Sequence, residues 1–96
     1  MEAFDFELEA SHIDMGKFCV VDVREPYELR MEPLKATLNM PTSRFDPSAL
    51  PDAEQYLLVC AHGIRSASIA QAMWERGDRR FFSLVGGTSA LDSPSR

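Results

Sequence analysis

Residues 56–66 read YLLVCAHGIRS, an apolar run that ends at a cysteine and passes through a short loop into a segment with helical spacing. An apolar run without polar alternation is typical of a strand covered on both faces of a parallel sheet. Over residues 66–76 the apolar side chains fall on one stripe, with Ser66 placed to cap the start and Gly77 placed for a left-handed stop. A strand that leads through a tight loop into a helix predicts an α/β unit.

The rest of the chain continues this alternation of strand and helix patterns. Further apolar runs that predict strands lie at residues 3–8, 19–23, 36–40 and 81–85. The run at 3–8 alternates apolar and acidic side chains, which is typical of an edge strand. Short helices are predicted at 11–17 and 26–31, the second with Pro26 in its first turn. We therefore expect an α/β fold, a three-layer open parallel sheet of about five strands flanked by helices.

Composition limits the partners of this chain. Its 96 residues are 45% hydrophobic and 26% charged, so we expect one globular domain over residues 1–96, with a flexible tail at 91–96. Ten basic against fifteen acidic residues give a net charge of -5, which leaves no basic stripe for nucleic acid. The longest apolar run, 56–61, is far shorter than the roughly 18 residues of a membrane span, and the first ten residues are acidic. We expect a soluble, cytoplasmic protein that binds no membrane.

The two cysteines of the chain have different surroundings in the sequence. Two are too few for a disulfide framework, so both are expected as reduced thiols. Cys60 follows a predicted strand at the carboxyl edge of the sheet, where ligands bind in such folds. The amides of loop 61–65, the following helix and Arg65 are expected to lower the thiol pKa and to hold a thiolate or a persulfide. Cys19 lies inside a predicted strand and is expected to pack in the core.

Four motifs, in the right order, resemble those of the rhodanese-type sulfurtransferases. CAHGIRS at residues 60–66 resembles the active loop of that family, Cys-x-x-Gly-x-Arg followed by Ser. VDVREPYE at 21–28 resembles its early Asp-x-Arg-Glu segment, and ATLNMP at 36–41 resembles its Ala-x-Asn-x-Pro segment. LVGG at 84–87 is similar to the late Leu-x-Gly-Gly and predicts a turn that lies close beneath the loop.

The resemblance implies a single rhodanese-like domain, without a cofactor. Cys60 would take a sulfane sulfur from a donor such as thiosulfate, hold it as a persulfide and pass it to a thiol, to cyanide or to a sulfur-carrier protein. The loop that would bind the substrate consists of Ala61, His62, Gly63, Ile64, Arg65 and Ser66. Its amides would stabilise the terminal sulfur, Gly63 would permit the turn, and Arg65 would supply charge or hold the loop. Two roles are left open for His62: contact with the substrate, or a solvated position in the loop.

Asp22 and Arg24 are predicted as supporting residues. They are expected to hold the loop after their strand, with Arg24 pairing with Glu25 or Glu28, or with Asp22 pairing with Arg65.

Two departures from the family pattern keep a second function open. Residues 31–35 read MEPLK where the family commonly has Gly-His-Ile-x-Gly, and Ala61 stands where many thiosulfate-using members carry Arg or Lys. A persulfide carrier fed by a partner protein is therefore an alternative to an enzyme that uses small donors. A Cys-dependent phosphatase or arsenate reductase is less favoured, because four residues rather than five separate Cys60 from Arg65. No metal site is predicted, since the two cysteines and two histidines lack ligand spacing.

Overall fold

A computed structural model describes residues 5–32, 34 and 38–91, and the strands within them form one parallel sheet. The strands are β1 Glu7–Leu8, β2 Cys19–Asp22, β3 Leu38–Asn39, β4 Tyr56–Val59 and β5 Phe81–Leu84. Their order across the sheet is β1-β5-β4-β2-β3, and every adjacent pair is parallel. The predicted five-stranded parallel sheet is confirmed, with β1 and β3 at its edges.

Helices flank this sheet on both faces. The α-helices are α1 Pro26–Met31, α2 Ile64–Glu75 and α3 Thr88–Leu91, and 3-10 helices span Ala10–His12, Met15–Lys17, Thr42–Arg44 and Pro47–Ala49. On one face α2 buries Ala70 and Met73 against the sheet. On the other face Ile13 and Leu91 pack against the fully buried Leu57 and Leu84. Within the described ranges, no helix has the length and apolar character needed to cross a membrane.

Two helix predictions differ from the structure in detail. The helix predicted at 11–17 is two 3-10 helices, because Ile13 has extended backbone and the Asp14 side chain accepts from the Gly16 amide to begin the second. Ser66 does not cap α2, since the helix begins at Ile64 and its N-cap is Gly63. The stop at Gly77 is confirmed, with a φ of 94°.

The strand predictions at the two edges of the sheet are longer than the strands observed. In the segment predicted as an edge strand at 3–8, the observed strand is Glu7–Leu8, and residues 3–4 lie outside the described residues. In the segment predicted at 36–40, the strand is Leu38–Asn39, and residues 36–37 lie outside them. The same holds for two positions of the 31–35 segment, 33 and 35, and for 92–96 of the predicted tail.

The order of the strands creates a crevice between β2 and β4. From β2 the chain continues to β3, towards one edge of the sheet. From β4 it continues through α2 to β5, towards the opposite edge. Adjacent parallel strands whose connections diverge leave a crevice outside their carboxyl ends, and ligands bind there in open α/β sheets. Asp22 ends β2 and Cys60 follows β4, so both lie at this crevice.

Candidate active site

The sulfur of Cys60 lies inside a ring of hydrogen-bonding groups. Cys60 comes directly after β4, and none of its surface is exposed to solvent. The Gly63 amide donates to the sulfur at 3.1 Å, and the Ser66 amide donates at 3.4 Å. The Ser66 hydroxyl lies 3.5 Å from the same sulfur. A thiolate here would therefore replace its lost hydration with fixed donors.

These donors decide the protonation state of Cys60. Burial alone would raise the pKa of its thiol, because a low-dielectric environment disfavours the charged form. Hydrogen bonds from the Ser66 hydroxyl and from the amides of Ser66, Gly63 and His62 act in the opposite direction. They outweigh burial, and the pKa of Cys60 lies below its ordinary value. The predicted lowering is thus present, and hydrogen bonds from the loop amides and the Ser66 hydroxyl are its main cause.

The carbonyl side of the loop is tied to the turn after β5. The Thr88 amide donates to the Cys60 carbonyl at 2.8 Å, and the Ser89 amide donates to the Ala61 carbonyl at 3.3 Å. These bonds satisfy the two loop carbonyls and hold the loop against the start of α3. The turn predicted at 84–87 beneath the loop is therefore observed.

Two glycines make this close approach possible. Gly87 has a φ of 62°, and a β-carbon there would overlap the backbone of Cys60 and Ala61. Gly63 has a φ of 90°, and a β-carbon there would lie 2.9 Å from the Gly86 nitrogen. Positive φ and missing space both require glycine at these two positions. The loop thus rests on a backbone-to-backbone contact that any side chain would open.

Arg65 bonds to α1 and not to the sulfur. Its two terminal nitrogens donate to the two carboxylate oxygens of Glu28, each at 2.8 Å. The same carboxylate accepts from the Glu25 amide at the start of α1. The bond from Arg65 is the main reason that the pKa of Glu28 falls to about 2. Arg65 therefore fastens the beginning of α2 to α1, with its charge neutralised.

Asp22 and Arg24 form a buried ion pair with each other. The Arg24 side chain donates to both carboxylate oxygens of Asp22, with its Nη2 at 2.8 Å, and neither residue is more than 1% exposed. The sequence-based pairings of Arg24 with Glu25 or Glu28, and of Asp22 with Arg65, are wrong. Asp22 is two residues before Arg24 and also accepts from its amide at 3.0 Å, so the nearer carboxylate forms the pair. The pair fixes the loop from β2 to α1.

The remaining loop side chains face outwards. His62 is exposed, and its Nδ1 lies 3.2 Å from the Ser89 hydroxyl. Ile64 is 78% exposed, and Ala61 is partly exposed. A groove of about 430 Å³ runs along the outside of the loop, between α2, the start of β1 and the turn after β5, and Cys60 does not line it. The groove offers apolar surface beside the loop, from Phe6, Ile64, Ala67 and Val85.

One residue of the site was not singled out from the sequence, and another was predicted with the wrong partner. Ser83 lies in β5 and its hydroxyl is 2.7 Å from that of Ser66. A single serine within the apolar run 81–85 was the signal for it, but the spatial neighbour of β5 had to be known first. Glu28 is the partner of Arg65, across 37 positions of sequence. Within the described ranges no group of His, Cys, Asp or Glu side chains could hold a metal ion.

Comparisons with known proteins agree with this architecture. No protein-family model matches the chain. An uncharacterized protein of Synechocystis sp., slr1261, is 37% identical over 73 residues, which cover 74% of this chain and 41% of that protein. The thiosulfate sulfurtransferase GlpE of Coxiella burnetii is 34% identical over 70 residues, which cover 71% of this chain and 65% of GlpE. The chain thus spans less than two thirds of either relative.

A solved structure extends the likeness to nearly the whole chain. The rhodanese-related protein of Thermoplasma volcanium superposes with a TM-score of 0.78 at 27% identity, over 94% of both chains. The two sequence relatives cover 74% and 71% of this chain, and the solved structure covers 94% of it. Both lead to the same conclusion, that this chain belongs to the rhodanese-like domain family.

Proposed function

We propose that the chain is a sulfurtransferase that carries a sulfane sulfur on Cys60, with thiosulfate as one donor. The observation that carries the proposal is the set of donors around the Cys60 sulfur, with amide nitrogens at 3.1 and 3.4 Å. These groups favour a thiolate, which is the nucleophilic form of cysteine. The thiosulfate sulfurtransferase activity named for the Coxiella relative supports the same chemistry.

The reaction divides into two displacements at sulfur. The Cys60 thiolate attacks the outer sulfur of thiosulfate and forms a new S–S bond with it. The S–S bond of the donor breaks, and sulfite leaves with the electron pair of that bond. One negative charge then resides on the terminal sulfur of the Cys60 persulfide. A nucleophilic acceptor, a thiolate or cyanide, attacks that terminal sulfur and releases the Cys60 thiolate. No proton or electron from outside these reactants is needed.

The loop residues would act on charge and on position. The amides of Gly63 and Ser66 stabilise the thiolate, and the tight loop suits the single terminal sulfur of a persulfide. Arg65, bonded to Glu28, keeps the loop amides in place as a positioning residue. Because Cys60 has no exposed surface, a donor reaches its sulfur only when the loop shifts outwards.

Intact mass spectrometry tests the proposal. The reduced protein is incubated with thiosulfate and then with cyanide, beside the variants Cys60→Ser and Cys19→Ser. We expect the wild type and Cys19→Ser to gain one sulfur that cyanide removes, and Cys60→Ser to gain none. Loading that persists in Cys60→Ser would overturn the assignment of the nucleophile.

A persulfide carrier that receives sulfur from a partner protein is the second candidate. The charges of the loop favour it, because Glu28 neutralises Arg65 and Asp22 neutralises the buried Arg24. Among the described residues of the loop, no unpaired guanidinium is left to bind a dianion such as thiosulfate. The Ala61 methyl adds no charge. If only a protein persulfide loads Cys60, and thiosulfate does not, the carrier function replaces the small-donor enzyme.

An oxyanion enzyme is less favoured. Phosphate or arsenate would need an arginine that faces the nucleophile, and Arg65 is bonded to Glu28. Turnover of a chromogenic aryl phosphate that disappears in Cys60→Ser would overturn this choice.

A further inference from the structure

Two buried serine hydroxyls form a chain of contacts that starts at the sulfur of Cys60. The Ser66 Oγ is 3.5 Å from the sulfur, and the Ser83 Oγ is 2.7 Å from the Ser66 Oγ. Ser66 has no exposed surface, and Ser83 is 1% exposed. The two serines come from different elements, α2 and β5, so this chain of contacts exists only in the folded protein.

The direction of the hydrogen bond between the serines follows from their partners. A hydroxyl has one proton to donate, and a buried donor without an acceptor costs about 1 to 3 kcal/mol. In the described part of the chain, the hydroxyl of Ser83 has one hydrogen-bond partner, the Ser66 Oγ. If Ser66 donated to Ser83, the Ser83 proton would have no acceptor. The arrangement that satisfies both protons is therefore Ser83 donating to Ser66.

This direction leaves the Ser66 proton with two acceptors. One is the Gly63 carbonyl, at 3.4 Å from the Ser66 Oγ, and the other is the Cys60 sulfur. When Cys60 is a thiol, it can donate to Ser66, and Ser66 can turn to the carbonyl. When Cys60 is a thiolate, the charged sulfur is the stronger acceptor, and Ser66 turns to it.

We propose that Ser83 is a positioning residue for the nucleophile: its hydroxyl donates to Ser66 and thereby directs the Ser66 proton onto the Cys60 thiolate. A hydroxyl that accepts one hydrogen bond becomes a stronger donor in the next, so Ser83 strengthens the bond that stabilises the thiolate. This strengthening shifts the equilibrium of Cys60 from thiol to thiolate.

The charged and polar side chains around Cys60 have hydrogen-bond partners other than its sulfur. From β2 and the residues after it, Asp22 and Arg24 pair with each other. Arg65 of α2 pairs with Glu28 of α1, and exposed His62 bonds to Ser89.

Equilibrium titration of the thiolate tests the proposal without any sulfur donor. In a Cys19→Ser background, ultraviolet absorbance of the thiolate reports Cys60 alone. Ser83→Ala is expected to raise the midpoint, so that the ratio of thiolate to thiol falls about threefold at a fixed pH below it. Ser48→Ala is the matched control, because Ser48 is exposed, bonds to Asp46 at 2.7 Å and lies in a 3-10 helix away from the site.

A double-mutant cycle separates a role through Ser66 from a general loosening of the site. In a Ser66→Ala background, Ser83→Ala is expected to leave the Cys60 midpoint unchanged, because the intermediate hydroxyl is gone. If Ser83→Ala shifts the Cys60 midpoint equally with Ser66 present and with Ser66→Ala, the proposal is overturned. It is also overturned if Ser83→Ala causes no shift in the protein that retains Ser66.

A second pair of variants covers the case in which Ser83→Ala fails to fold. Ser83→Thr and Ser83→Val have nearly the same shape and differ in the hydroxyl, so their Cys60 midpoints are compared directly. We expect the lower midpoint for Ser83→Thr, and equal midpoints would contradict the proposal. The consequence for sulfur transfer rests on the proposed function of Cys60, whereas the titration does not. Failure to load sulfur therefore cannot be mistaken for failure of the Ser83 proposal.

Discussion

Cys60 and Cys19 stand at opposite ends of neighbouring strands and have opposite properties. Cys19 begins β2, where it pairs with Tyr56 at the start of β4, and Cys60 follows the other end of β4. Cys19 is half-buried, and burial raises the pKa of its thiol. Cys60 is fully buried, and yet its pKa is lowered. Burial alone would have predicted the reverse order of the two pKa values.

The difference shows that donors, and not exposure, prepare the cysteine for chemistry. Parallel strands bring loops and helix starts together at their carboxyl ends, so amides accumulate around Cys60. At the amino ends the strand amides are taken up by the sheet, as the Cys19 amide is by the Gln55 carbonyl. The same side chain is thus a packing group at one end of the sheet and a stabilised thiolate at the other.

The largest expected effect comes from Gly87→Ala, which disrupts the surroundings of Cys60 and leaves those of Cys19 intact. The new methyl would overlap the backbone of Cys60 and Ala61, so the loop must move away from the turn after β5. We expect the free energy of unfolding, measured in urea, to fall by about 3 kcal/mol. Mass spectrometry should no longer detect the sulfur gained on incubation with thiosulfate.

Gly77→Ala is the matched control for this substitution. Gly77 also has a positive φ, of 94°, but a β-carbon there meets nothing within 4 Å. Backbone strain alone, about 1 kcal/mol, is expected, with sulfur loading retained. Equal costs for Gly77→Ala and Gly87→Ala would contradict the close contact under the loop.

An intermediate effect is expected from the ion pairs at the two ends of the sheet. Glu28→Gln removes the carboxylate that binds Arg65 near Cys60, and Asp78→Asn removes the one that binds Arg80 near the amino ends. Both pairs are partly exposed, so solvent screens the attraction in each and both effects are modest.

The two pairs differ in sequence separation, which predicts the order of their effects. Glu28 and Arg65 are 37 positions apart, whereas Asp78 and Arg80 are two apart and can also interact in the unfolded chain. Urea unfolding should therefore show a loss of about 1 kcal/mol for Glu28→Gln and a smaller loss for Asp78→Asn. A larger loss for Asp78→Asn would show that Arg65 does not fasten the loop.

Sequence patterns predicted the parts of the site that follow from local order along the chain. The strand before Cys60, the loop and the turn at 84–87 each carry a local signal, and the structure has them. The partners of Arg65 and Ser66 carry no such signal, because they depend on which elements become neighbours. Ser83 was therefore missed, and Glu28 was predicted as a partner of Arg24 although it binds Arg65. Asp22, predicted to pair with Arg65, forms a buried pair with Arg24.

The start of α2 shows a local failure. Ser66 has the residue type of a cap, but Gly63 adopts φ of 90° three residues earlier and begins the helix there. Ser66 is then inside the first turn, where its hydroxyl faces the sulfur. A preference for caps is a weak prior when a loop must hold a charge, because contacts with that charge decide where the helix begins.

The smallest expected effect is a pH dependence of unfolding with opposite sign for the two cysteines. The lowered pKa of Cys60 contributes stability that is present above the ordinary thiol value, about 8.5, and is lost as pH falls through the lowered value. The raised pKa of Cys19 contributes stability that is present below the ordinary value and is lost as pH rises through the raised one.

Urea unfolding of the wild type, Cys60→Ser and Cys19→Ser over this range checks both signs. As pH rises towards about 8.5, the free energy of unfolding of the wild type should increase relative to that of Cys60→Ser. Above that pH, it should decrease relative to that of Cys19→Ser. Differences of the same sign for the two variants would contradict the comparison.

The most direct measurement is the thiolate titration of the two single-cysteine proteins, by ultraviolet absorbance. Cys19→Ser reports Cys60, and Cys60→Ser reports Cys19, at equilibrium and without dependence on reagent access. The donors around the buried sulfur predict a midpoint for Cys60 below that of an ordinary thiol and a midpoint for Cys19 above it. A Cys60 midpoint at or above that of Cys19 would mean that burial prevails over the loop amides, and the proposed nucleophile would lose its physical basis.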